Sequence, residues 1–201
     1  MFTGIIEALG KITTIDAHDA DLSIRIETDT LFLNDVQLGD SIACNGVCLT
    51  VVEVSANTFY VDVSGESIAL TTIGNWHVGD SLNLEKALTP QQRMGGHLVS
   101  GHVDGVGEVI SRTSDGRSEQ FIFRAPKNLA KYIAVKGSIT IDGTSLTVNT
   151  VNDHDFGVNI VPHTLTHTVI GNYQTGTKVN LEVDLIARYL ERLLTMQNED
   201  A

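Results

Sequence analysis

One unit of nearly a hundred residues occurs twice in this chain. Residues 38–54 read LGDSIACNGVCLTVVEV and residues 135–151 read VKGSITIDGTSLTVNTV. Residues 71–85 (TTIGNWHVGDSLNLE) match 168–182 (TVIGNYQTGTKVNLE), and 3–12 (TGIIEALGKI) match 100–109 (SGHVDGVGEV). The offset is 97 residues throughout, from Gly4 to Gly101, Gly46 to Gly143 and Gly79 to Gly176, with no gap. Such a period is far longer than the roughly 20–50 residues of solenoids and propellers, so the pattern describes a tandem pair of domains.

The local patterns are those of strands. Ser41–Cys44 and Val47–Val52 flank Asn45-Gly46, a hairpin turn signal, and Ile139–Ile141 and Ser145–Val148 flank Asp142-Gly143. Further short strands are expected at Leu22–Ile26, Phe59–Val63, Ser81–Leu84, Phe121–Arg124, Val158–Val161 and Lys178–Val183. About six short strands per half suggest a small closed barrel, which removes the exposed edges of a single small sheet. The expected fold is therefore all-β: two tandem homologous closed barrels, six-stranded and Greek-key-like, plus a C-terminal helix. The expected domains are residues 1–97, 98–184 and a tail at 185–201. Short helices are expected at Pro126–Ile133, with a counterpart near Thr30–Val36, and at the matched pair Glu66–Ile73 and His163–Val169. The tail has no partner in the repeat. It places Ile186, Tyr189, Leu190, Leu193 and Leu194 on one helical stripe. That stripe either packs on its own barrel or holds an oligomer together.

Composition narrows the function. The chain has 201 residues, 42% hydrophobic and 19% charged, a globular profile. A net charge of −12 and only 5% aromatic residues argue against a nucleic-acid partner. The N-terminus MFTGIIEALGKI lacks a basic region and a long apolar run, so a cytoplasmic protein with no membrane partner is expected. Cys44 and Cys48 are expected as free thiols, on one face of an alternating strand, with too few neighbouring ligands for zinc. His163 and His167 have the i,i+4 spacing of a metal pair but no evident third ligand. Gly95-Gly96 and Gly105-Val106-Gly107 are not phosphate loops, because no Lys-Ser/Thr follows. His97 reads as structural.

What the repeat keeps is mostly scaffold, such as Gly46/Gly143 and Val51/Val148, with the polar pair Thr50/Thr147 among them. What it changes lies beside those positions. Cys48 corresponds to Ser145, Ile5 to His102, Asp62 to Asn159, Glu66 to His163 and Ser67 to Thr164. Two copies of one pocket carrying different chemistry would produce this pattern.

The opening MFTGI, NGVCLTV at 45–51, GGHLVSGHVDGVG at 95–107 and DGTSLTVN at 142–149 together resemble the riboflavin synthase family of the α-subunit type, over essentially the whole chain. The resemblance implies a homotrimer of two-barrel subunits with no metal or redox cofactor. Each barrel would bind one 6,7-dimethyl-8-ribityllumazine. A four-carbon unit would pass between the two, giving riboflavin and 5-amino-6-ribitylamino-pyrimidinedione. The family's binding segments fall on Gly4-Ile5-Ile6, Cys48-Leu49-Thr50 and Asp62-Val63-Ser64-Gly65-Glu66-Ser67 in the first barrel. In the second they fall on Gly101-His102-Val103, Lys136, Ser145-Leu146-Thr147 and Ile160-Val161-Pro162-His163-Thr164-Leu165. Phe2, Ser41, Cys48, His102, Ser145, Thr147 and Asp184 match residues at or near the chemistry. His102 and Ser145 are assigned to proton handling at the donor ring, Cys48 and Thr50 to the acceptor side. The rival implied by the same resemblance is a non-catalytic lumazine- or flavin-binding antenna protein.

Overall fold

A computed structural model describes residues 1–31 and 33–199, with side chains through Met196. The first half forms β1 (Ala8–His18), β2 (Asp21–Glu27), β3 (Ser41–Cys44), β4 (Val47–Val54), β5 (Thr58–Val63), helix α1 (Gly65–Leu70) and β6 (Ser81–Lys86). Its strands close into a barrel in the order β1-β2-β5-β4-β3-β6. The second half forms β7 (Gly105–Asp115), β8 (Ser118–Arg124), β9 (Ser138–Ile141), β10 (Thr144–Thr147), β11 (Thr150–Asn152), β12 (Asp155–Ile160), α2 (Pro162–His167) and β13 (Lys178–Val183). Its sheet has seven strands, in the order β10-β9-β13-β7-β8-β12-β11.

The expectation of six closed strands in each half holds for the first and needs correcting for the second. Strands β10 and β11 together occupy the place of β4, so the two ends of the second sheet are one strand interrupted at Val148-Asn149. The interruption still bonds outward: Lys136 N donates to Val148 O at 2.7 Å and Asn149 N to Gly157 O at 2.7 Å. Both long first strands carry a bulge at equivalent places, Ile12/Thr14 and Val109/Ser111. A bulge adds local twist and bend, which is how a sheet this small curls on itself. The first core is mostly aliphatic, built on Ile24, Ile26, Ile42, Val61 and Leu84 around Phe59. The second stacks Phe121 on Phe123 and Phe123 on Phe156, with ring centroids 5.8 and 5.7 Å apart.

The two halves meet about an approximate two-fold axis. The hairpin tips touch: a Cβ on Gly46 would lie 2.6 Å from Gly143 N, and one on Gly143 would lie 2.8 Å from Gly46 N. Reciprocal amides cross the seam. Asn83 Nδ2 donates to Asp142 O at 2.8 Å and Asn180 Nδ2 to Asn45 O at 2.9 Å. The carbonyl oxygens of the same two side chains accept from Val169 N and Thr72 N, both at 2.8 Å. Four buried polar groups are thus satisfied across the axis, and that satisfaction is what makes their burial tolerable.

Three local expectations change. Cys44 and Cys48 lie on opposite faces, because the Asn45-Gly46 turn falls between them. Cys44 is in the barrel core, while Cys48 opposes Ala43 and packs with Phe2, Ala43 and Val99. Residues 126–133 hold only a short 3-10 turn, Ala130–Tyr132. Its proposed counterpart at 30–36 includes Phe32, which lies outside the described residues; the others there form bends and turns. Helices α1 and α2 each hand over to a 3-10 turn, Thr72–Asn75 and Val169–Asn172. The tail is helix α3 (Leu185–Glu199), started by Asp184 Oδ1 accepting from Ile186 N at 2.9 Å. Polar contacts tie it to the second barrel: Arg188 to Asp104, and Lys131 and Tyr132 to Glu191. Its apolar stripe does not pack on that barrel. Tyr189 is 66% exposed and Leu193 63%.

Candidate functional site

The two site strands are completed from across the seam. Gly4 donates its N–H to Glu85 and accepts from Ser145 N at 2.7 Å through its carbonyl. Gly101 repeats this, donating to Glu182 and accepting from Cys48 N at 2.8 Å. Both glycines sit at positive φ, +76° and +78°, and a Cβ on either would lie 2.6 Å from the Cβ of Ser145 or Cys48. Only glycine meets both demands. Val103 accordingly packs against the first barrel's core, although it follows that barrel in the chain.

This corrects the grouping drawn from chain order. Segment Gly101-His102-Val103 joins Cys48-Leu49-Thr50 on the first barrel. There Val51 opposite Val61 sets β4 beside β5 and so beside Asp62–Ser67. Segment Gly4-Ile5 joins Ser145 on the second barrel. The pairing of His102 with Ser145 is not seen: no hydrogen bond links them among the described residues. Ser145 Oγ instead lies 2.7 Å from His97 Nδ1. Burial pushes the His97 imidazole below its usual range, with the charge of Asp184 opposing the shift. A neutral ring is thus set against a serine hydroxyl. His97, expected to be structural, thus lies directly against the candidate Ser145; an offset of 97 gives it no counterpart in the first repeat, so the repeat carries no signal for it.

The other residues expected at the site are placed as follows. Thr50 and Thr147 are exposed, and Cys48 and Ser145 half-buried; Leu49 is buried and Leu146 half-buried. Asp62 accepts from Ser23 Oγ at 2.6 Å. Ser64 caps α1 by accepting from Ser67 N, and Gly65 N donates to Asp21. In the second barrel Val161 takes the cap position without a side-chain bond, and Pro162 opens α2 before His163, Thr164 and Leu165. His163 and His167 stack at 4.1 Å. Among the described residues no group of three potential ligands forms a metal site. Lys136 holds φ +68° where the first half has Gly39 at +92°. A lysine kept in the left-handed region stores strain, and such strain concentrates at functional positions. Phe2 is fully buried and bridges Val99 across the seam. Ser41 opposes Thr50 and lines a recess of about 410 Å³ with Asp35, Asp40 and Lys86. Asp184 is half-buried at the start of α3.

Two buried carboxylates, Glu85 and Glu182, close the matching segments of the two repeats, and an acidic residue at a strand end gives no sign of burial in the sequence. Glu85 accepts from Thr3 N, Thr3 Oγ1 and Gly4 N at 2.7, 2.7 and 3.0 Å. Glu182 accepts from Ser100 N, Ser100 Oγ and Gly101 N at 2.7, 2.6 and 2.9 Å. Burial raises both pKa values, and the three donors oppose it. A third carboxyl breaks the symmetry. Asp142, in the place of Asn45, is pushed up to about 7 by burial, against hydrogen bonds from Tyr173 and Asn180. The Cys44 thiol is pushed far up by burial, leaving Cys48 as the available sulfur.

Fold and site together define a tandem-barrel protein whose halves carry related but unequal side chains at equivalent places. The lumazine binding domain family matches residues 3–87 and again 100–184, and the chain belongs to that family. The riboflavin synthase of Photobacterium phosphoreum is 49% identical over 200 residues, covering all of this chain and 92% of that one. That of Brucella abortus is 46% identical, covering 98% of this chain and all of its own. Crystal structures of LumP with 6,7-dimethyl-8-(1'-D-ribityl) lumazine and with riboflavin share the fold at TM-scores of 0.82 and 0.83. They are 28% and 29% identical, covering 91% of this chain and 99% of theirs.

Proposed function

We infer that the protein carries out the riboflavin synthase reaction, a dismutation. One 6,7-dimethyl-8-ribityllumazine gives a four-carbon unit to a second, yielding riboflavin and 5-amino-6-ribitylamino-pyrimidinedione. The observation that carries this reading is one site built twice with different groups. Two molecules of one compound are bound alike but must act unequally. The chemistry needs a proton removed from an activated ring methyl of the donor and a nucleophile added to the acceptor ring. We assign Cys48 and His102 to one ring, and Ser145 with His97 to the other. Thr50, Thr147, Asp62, Ser64, Ser67 and Thr164 suit the hydroxyls of the ribityl chain. Holding two rings together supplies much of the rate, since fixed proximity replaces a bimolecular encounter.

Ile5, Thr50, His102 and Thr147 are exposed, and α3 leaves an apolar stripe uncovered. These features support a homotrimer in which one subunit's first site faces a neighbour's second. No helix among the described residues is long and apolar enough to cross a membrane. We place the enzyme in the cytoplasm, where its two cysteines stay reduced.

The LumP complexes support a second reading, a binder that does no chemistry. Polar groups retained in both sites and the higher identity to riboflavin synthases favour the enzyme. Incubating the purified protein with the lumazine alone separates the two. Appearance of the flavin absorption spectrum is expected; tight lumazine binding with no flavin formed would identify the binder.

A further inference from the structure

We propose that Glu85 and Glu182 are positioning residues that act crosswise, each barrel's glutamate aiming the segment that completes the other barrel's site. The inference rests on the reading of those sites given above. Glu85 stands on β6 of the first barrel, yet the glycine it holds bonds Ser145 of the second. Glu182 stands on β13 of the second barrel, yet its glycine bonds Cys48 of the first. Each glycine is gripped at both ends of one residue, its N–H by the carboxylate and its carbonyl by the site strand. Ile5 and His102 leave directly from these glycines into solvent. The tilt of one peptide thus sets where the next side chain points.

The chemistry of the grip explains why the residue is a glutamate. Each carboxylate takes three donors on two oxygens, two from backbone N–H groups and one from a hydroxyl. A glutamine has one acceptor oxygen and would turn an NH2 toward the glycine N–H. Both glutamates are only 4% exposed. A charge buried that deeply is costly unless fully hydrogen-bonded. Simple adhesion between barrels does not require it, since Asn83 and Asn180 already cross the same seam with neutral amides.

The two cysteines give a readout that needs no turnover. Cys48 is half-buried beneath Gly101, whereas Cys44 is fully buried in the core and reports general loosening. The full-length protein is treated with iodoacetamide and each cysteine followed by mass spectrometry. Glu182→Gln should speed Cys48 alkylation roughly five- to tenfold, through loss of hydrogen bonds to a charged group. Cys44 should stay protected. Glu85→Gln, although in the same barrel as Cys48, should raise the Cys48 rate clearly less, since its hydrogen bonds hold Thr3 and Gly4 and reach Cys48 only through the packing of Phe2. If Glu182→Gln does not fold, Ser100→Ala replaces it, with Thr3→Ala as the matching control; the same ordering is expected at smaller size. Cys48 labelling as fast from the first-barrel variants as from the second-barrel ones, or no change from the latter, would overturn the crosswise role. Parallel exposure of Cys44 and Cys48 would reduce the glutamates to fold supports. The activity of the unmodified protein is measured alongside, so failure of the proposed reaction shows there and leaves the labelling comparison intact.

Discussion

The first barrel brings a thiol and an exposed imidazole to its site, Cys48 with His102 from across the seam. The second brings a hydroxyl and a half-buried imidazole, Ser145 with His97. Both sites rest on the same scaffold: a hairpin, a bulged first strand, a glycine at positive φ, and a glutamate behind it. The second also exchanges Gly39 for a strained Lys136, Ser64-Gly65 for Val161-Pro162, and a continuous strand for the interrupted β10 and β11. Duplication keeps the glycines and glutamates that join the halves, and divergence falls on the side chains we assign to the two rings. Such a division suits a reaction whose two substrates are identical and whose two roles are not.

The largest effect should come from keeping the two sites apart. A chain ending at Asp184 loses the stripe of α3 and should run as a monomer by light scattering. Turnover should fall on the order of a thousandfold or more, because the two rings are no longer held together. A truncated trimer would break the link between helix and assembly; a fully active monomer would break the shared site. Next, Cys48→Ala and His102→Ala should each lower turnover about a hundredfold, the scale of a lost acid, base or nucleophile. Cys48→Ser should be milder, since the other barrel uses a hydroxyl there. If saturating turnover stays normal in either alanine variant, that residue only binds. On the second site, His97→Ala and Ser145→Ala should each cost roughly ten- to a hundredfold. Their double variant should be little worse than either single one, as partners in one hydrogen bond are not additive.

Residues 1–97 expressed alone sharpen the comparison differently. They lack Ser100–Val103, so they should fold and bind ligand as a pair of copies, with Thr3–Ile5 of each copy covering Cys48 of the other. A monomeric fragment binding as tightly as the whole chain would contradict the crossed arrangement. The smallest effect concerns stability. Asp142 has a folded pKa raised to about 7, so its contribution is fully present below the unfolded value and is lost as pH rises through 7. Asp142→Asn copies the first barrel, where Asn45 Oδ1 already accepts from Asn83 N as Asp142 Oδ1 does from Asn180 N. At about 1.4 kcal/mol per pKa unit, the variant should lose up to a few kcal/mol of stability decline between about pH 4 and 7. An unchanged pH profile of the melting temperature would place the burden on another group.

Much of this was legible in the sequence, and the reason is periodicity. The 97-residue offset carried the strands, both hairpin turns and the duplicated site, because each is set by short-range pattern. The amphipathic tail was legible on its own 3.6-residue period. Three things were not. The crossing of segments 3–5 and 100–103 onto opposite barrels is a long-range choice, and both partners look alike in either half. His97 lies outside the repeat and bonds a residue 48 positions away. The long strands β1 and β7 leave a weak signal, since both run on into solvent with polar ends that blur the alternation.

The central claim is that two unequal sites act on two copies of one compound. It is tested most directly by counting molecules: the purified full-length protein is given only 6,7-dimethyl-8-ribityllumazine and the products are quantified by chromatography. Two lumazines should disappear for each riboflavin formed, with one ribitylamino-pyrimidine released. Lumazine bound but unchanged, or riboflavin without an equal amount of the pyrimidine, would contradict it.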